Sequence, residues 1–145
     1  MRNLLLLFHL VFAGLWLGCV LTEVLFERAL LGRGKDYEVI LAGLHRRVDL
    51  FVEIPAFLAV LVTGALMVAN VNPGPVLHTK IAFGVLAIAA NIYCVSLVLR
   101  RAKAATEGHW EEFARLDHLQ HKFGAVVLLG ILAALGIGGY LFSYA

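Results

Sequence analysis

Six histidines and ten carboxylates carry most of the chemistry open to this 145-residue chain. Their spacing puts several on shared helical faces. His9, Trp16 and Glu23 recur every seven positions and drift by only about 20° per step, so they form one stripe. His45, Asp49 and Glu53 recur every four positions and form a second. Asp117 and His121 repeat that spacing. Lys80 and Asn91 share another face, from which His78 points about 160° away. Two chemistries suit such sets. Two imidazoles at one depth on facing helices can hold a haem iron. Carboxylates mixed with imidazoles can hold a bare iron, copper or zinc ion.

The elements that must position these residues are apolar. Hydrophobic residues make up 61% of the chain and charged residues 15%, with mean hydropathy +0.88. A soluble domain has about 25% charged residues. The composition excludes a soluble enzyme, a disordered chain and a nucleic-acid-binding domain, and a net charge of +2 does not suggest a polyanion partner. Four apolar runs, residues 4–26, 48–69, 76–99 and 123–144, each reach the length of about 20 residues that crosses a bilayer as a helix. The chain is thus read as one all-α domain over residues 1–145, an integral membrane four-helix bundle.

Lys and Arg placement sets the expected orientation. The link between the first two runs carries Arg28, Arg33, Lys35, Arg46 and Arg47, and the link between the last two carries Arg100, Arg101, Lys103, Arg115 and Lys122. The turn over residues 70–75 carries no basic residue. The positive-inside rule then puts both links in the cytoplasm and both termini outside, in a multi-pass protein of the cell inner membrane. A signal-peptide reading of residues 1–19 fails because the apolar run continues to Phe26. Cys19 and Cys94 fall inside runs and read as packing residues.

Both halves follow one plan: a His near the outer end of a span, a basic amphipathic link, then a His before the next span. The first half has His9 and His45, the second His78 and either His118 or His121. One reading is a two-fold internal repeat of helical hairpins. The other is that any hairpin with positive-inside links looks repeated. Either way the histidines sort by depth, His9 and His78 at the outer end, His45, His118 and His121 at the inner.

Few polar groups enter the spans. His9 lies in an otherwise apolar run, where a polar group is costly without a role. Lys80 lies where it can snorkel or meet an anionic group. At the inner end, Glu23, Glu27, His45, Asp49, Glu53, Asp117, His118 and His121 read either as a metal site or as a charge network neutralised by Arg28, Arg46, Arg47 and Lys122, and the network is the reading favoured. Glu23 and Glu53, the deepest, fit the network least. Gly14, Gly18, Gly64, Gly84, Gly124 and Gly130 would let backbones or a flat macrocycle approach closely. EF-hand, P-loop, HExxH and CxxC patterns are absent.

Over its first three spans the order of motifs resembles the HemJ-type membrane protoporphyrinogen oxidases and the related membrane domain of CopD-type copper-resistance proteins. The motifs are His9 followed by Trp16-Leu17-Gly18, then Arg46-Arg47, Pro55 and Thr63-Gly64, then Leu77-His78-Thr79-Lys80. The resemblance implies a haem b protein in which His9 and Lys80 correspond to the family's span-one His and span-three Lys. Asn91 stands where that family has a His, and His45 where it tends to have Glu. The CopD side implies copper handling, yet the chain has only two Met and two Cys to offer copper(I).

The expectation is a haem b-binding redox protein, with one haem or two. His9 is the leading axial ligand and His78 its depth-matched partner. His45 with His118 or His121 would hold a second haem, and Arg46, Arg47 and Lys80 would meet propionates. The partners would be the bilayer, a quinone, porphyrin or redox protein, and a second copy of the chain. A second expectation is a non-haem site for copper, iron or zinc on Glu23, His45, Asp49, Glu53 and His121. A third is a subunit without chemistry in a larger membrane complex.

Overall fold

A computed structural model describes residues 2–69 and 71–144 of the chain. Its helices are α1 (Arg2–Leu30), α2 (Lys35–Val48), α3 (Ile54–Val68), α4 (Pro75–Glu107) and α5 (Trp110–Ser143). A π-helical turn, Asp49–Glu53, joins α2 to α3 without a break. There are therefore four helical rods, each long and apolar enough to cross a membrane, and no strand occurs among the described residues. All four rods are longer than a bilayer core, and three of them run to 33 or 34 residues. The 33 residues of α4 rise about 50 Å against a hydrocarbon thickness of about 30 Å.

The link residues explain where the rods stop. Gly108 takes a left-handed φ of 75° after α4. The His109 N–H then donates to the Ala104 carbonyl at 2.9 Å, which closes the helix end with a Schellman-type bond. Gly32 and Gly34, with φ of 75° and 120°, turn the chain between α1 and α2. Pro75 opens α4, where its missing N–H costs nothing.

The packing is uneven along the bundle. One end holds the links at 31–34 and 108–109 and most of the basic residues, and is here called the basic end. The other holds the termini and the turn at 71–74, the turn end. One core cluster sits at mid-depth, with Trp16, Phe57, Ala87, Cys94 and Val127 among its members. A second, around Ala42, Leu97, Phe113 and Leu116, lies at the basic end. The turn-end halves of all four rods, residues 2–12, 58–69, 71–86 and 132–144, contain no buried residue among those described. α4 and α5 meet closely at Gly130, where an added Cβ would lie 2.9 Å from the Ala87 Cβ and 3.2 Å from the Phe83 carbonyl oxygen. Of the six glycines expected to permit close approach, Gly64 and Gly130 do so. Gly14, Gly18, Gly84 and Gly124 have nothing within 4 Å of such a Cβ, because they face outward from the helix contacts.

Candidate functional site

The chemistry-bearing residues fall into three groups along the bundle. At the turn end, His9 on α1 reaches α3. Its Nδ1 lies 2.9 Å from the Thr63 Oγ1, and the Thr63 hydroxyl in turn donates to the Ala59 carbonyl at 2.6 Å. A hydroxyl has one proton, so Thr63 can only accept from His9. The proton of His9 is thereby placed on Nδ1, and Nε2 keeps a free lone pair. Gly64 lets the ring lie against α3, since a Cβ there would stand 3.3 Å from the His9 Cε1.

Lys80, half-buried on α4, runs along α5. A Cβ at Gly138 would meet its Cε at 3.1 Å and its Nζ at 3.4 Å. Gly138 therefore gives Lys80 its passage, a role that spacing alone did not suggest. His78 is exposed, and its Nδ1 donates to the Gly74 carbonyl of its own first turn at 3.2 Å. No hydrogen bond joins it to His9 among the described residues. Lys80 faces α5, so His78 on the opposite face of α4 turns away from the helix contact.

Near mid-depth, Glu23 on α1 meets Asp49 and Glu53 of the π-helical turn. One carboxylate oxygen from each lies within 4.8 Å of the other two. Asp49 and Glu53 are buried, at 1% and 3% exposure. None of the three has an ion-pair partner within 4 Å among the described residues. Beside them, the Trp16 indole N–H donates to the Asn91 Oδ1 at 3.3 Å.

The third group lies at the basic end and centres on Arg101, which is fully buried. Its Nη1 donates to the Glu27 Oε1 at 2.9 Å and also to the Asp117 Oδ1. Its Nη2 lies 3.2 Å from the His45 Nδ1, which also receives the Gln120 amide at 2.9 Å. The guanidinium rests on the Phe113 ring, 5.5 Å from its centroid. His121 borders the group, with Nε2 3.8 Å from the Glu27 Oε2 and Nδ1 donating to the Asp117 carbonyl at 2.8 Å.

This third group corrects two expectations. The cation that neutralises the carboxylates is Arg101, whereas Arg28, Arg46, Arg47 and Lys122 are exposed and form no ion pair among the described residues. His45 is not arranged as an iron ligand. A guanidinium only donates, so the His45 Nδ1 is an acceptor, its proton sits on Nε2, and no lone pair is left for a metal. Nε2 faces Glu27 at 3.5 Å instead. His118 is exposed and makes no side-chain hydrogen bond among the described residues. The expected metal set is also split in two. Glu23, Asp49 and Glu53 come together without an imidazole, while His45 and His121 join the Arg101 group.

Arg101 had a signal in the sequence. The buried face of α4 runs through Ala87, Asn91, Cys94, Val98, Arg101 and Ala105 at three- and four-residue spacing. Extending the stripe from Asn91 leads to Arg101. No protein-family model, curated protein or solved structure matches the chain.

Proposed function

We propose that this chain is a haem b-binding redox protein of the cell inner membrane, in which His9 would hold the iron of a haem at the turn end. The observation that carries the reading is the His9–Thr63–Ala59 hydrogen-bond chain. Histidines that bind metals almost always donate their other ring N–H to a fixed acceptor, which sets the tautomer and the ring plane. Thr63 does this for His9 and leaves Nε2 to ligate. Three further features fit the group. The turn-end halves of the rods hold no fully buried residue among those described, Gly64 sets the imidazole against α3, and Lys80 supplies a cation for a propionate on the far helix. A bound haem would supply one-electron transfer within the bilayer. The protein's share is to fix the ligand tautomer, hold the carboxylate groups and exclude water.

The orientation belongs to the same reading. The basic end is placed in the cytoplasm, because ten of the twelve basic residues lie in its links or their flanks. The turn end, and with it His9, then faces outward. A quinone or a second redox protein would exchange electrons at that end.

An absorption spectrum of the detergent-purified protein tests the reading. The expected result is a Soret band that moves on dithionite reduction and disappears in His9→Ala. A Thr63→Val variant, which keeps the ring but frees its tautomer, is expected to retain haem with a shifted midpoint potential. Colourless protein from cells supplied with haem precursors would sink the proposal. A spectrum unchanged in His9→Ala would sink the ligand assignment.

A further inference from the structure

Glu23, Asp49 and Glu53 form a largely buried acidic group with no cationic side chain within 4 Å among the described residues. Their oxygens lie within 4.8 Å of one another, and Arg101, the nearest buried guanidinium, is committed to Glu27, Asp117 and His45. Two carboxyl groups this close can share one proton. The Glu23 Oε1 and the Asp49 Oδ1 are buried and receive no donor from the rest of the protein among the described residues. Idle buried acceptors of this kind call for a partner.

Asn91 is an independent pointer to the same spot. It is only 2% exposed. The Trp16 indole can only donate, so the Asn91 atom facing it is the oxygen. The Asn91 amide nitrogen is therefore turned towards Glu53, but among the described residues it completes no well-formed hydrogen bond. It is aimed into the carboxylate group from a third helix, as an amide that would orient a ligating carboxylate. The backbone adds to this. Asp49 and Glu53 begin and end the π-helical turn, and single π turns inside α-helices occur frequently at functional sites.

We propose that Glu23, Asp49 and Glu53 bind one divalent cation that prefers oxygen ligands, of the Ca²⁺ or Mn²⁺ class, with Asn91 orienting Glu53. The donor set suits the ion. The three oxygens lie within 4.8 Å of one another, close enough for one ion with calcium–oxygen distances of about 2.3–2.6 Å to reach all of them. Three carboxylates supply hard, anionic oxygens, and no imidazole enters the set, which disfavours copper and zinc. The site is separate from His9 and does not depend on a haem.

The test is Mn²⁺ titration of the purified full-length protein, followed by the loss of the free-ion electron paramagnetic resonance signal. The expected result is one Mn²⁺ bound per chain, displaced by Ca²⁺. Binding is expected to vanish in Asp49→Asn/Glu53→Gln and to weaken about 10- to 100-fold in Asn91→Leu, the usual effect of removing an orienting partner. Glu112→Gln, at an exposed carboxylate, is expected to bind as the wild type does. Infrared spectra of the wild type give a reading that does not depend on variants folding. Added Mn²⁺ is expected to shift the carboxylate bands. Absence of Mn²⁺ binding to the wild type, binding retained in the double variant, or protonated-carboxyl bands that Mn²⁺ leaves unchanged would each overturn the proposal.

Discussion

Arg101 shows how much one buried side chain decides. Its guanidinium holds Glu27 and Asp117 from two other helices and sets the tautomer of His45 on a third. Removing it would leave two carboxylates facing each other with no cation. Breaking a buried pair in this way typically costs about 3–5 kcal/mol. Arg101→Met is therefore expected to lower the thermal unfolding midpoint in detergent sharply, whereas Arg100→Met, whose partner Glu112 is exposed, should change it little. Equal effects of the two would show that the network does not bear on stability. Arg101 also marks a limit of reading residues singly. Counted by position it is one more basic residue in a link. Only the register of the α4 stripe tells that it points inward. His9 was easier to single out, because a lone imidazole in an apolar run stands out by type. What could not be read was its acceptor, since Thr63 lies 54 positions away and hydroxyls are common in such helices.

At the scale of elements, the two halves of the chain differ in how their rods meet. α4 and α5 pack through small residues, with Gly130 against Ala87 and the Phe83 backbone. A methyl at Gly130 would push the backbones apart. Overpacking of this kind costs about 1–3 kcal/mol. Gly130→Ala is expected to reduce thermal stability by that order, while Gly124→Ala, with nothing within 4 Å of the new Cβ, should be neutral. A neutral Gly130→Ala would mean that the two helices can separate without loss. The four spans themselves were legible, because hydropathy over about 20 residues is a strong signal. Their extent was not. α4 and α5 continue past the apolar runs to Glu107 and from Trp110, and polar helix at a membrane edge looks like a link in composition. The π-helical turn was equally hidden. The four-residue spacing of Asp49 and Glu53 already put them on one face, but spacing does not report a change of helix type.

For the whole molecule, the uneven packing and the uneven charge tell one story. Buried side chains and the Arg101 group consolidate the basic end and the middle, while the turn-end halves are left without buried residues. A bundle built this way is consolidated more firmly at one end than at the other, and the proposed haem ligand lies in the less buried half. Which half faces which compartment then decides where the proposed redox partner would dock. The proposed orientation rests on the electrostatic asymmetry of the links, which is a property of the whole chain and not of any one residue. Labelling with a membrane-impermeant thiol reagent checks it. Cys19 and Cys94 are both buried, so they should give little background. A cysteine introduced by Asn72→Cys in the exposed turn is expected to react in intact cells stripped of their outer envelope. One introduced by Lys103→Cys, exposed at the basic end, is expected to react only after lysis. The reverse pattern would invert the bundle, put His9 on the cytoplasmic side, and require its electron partner to be a cytoplasmic one.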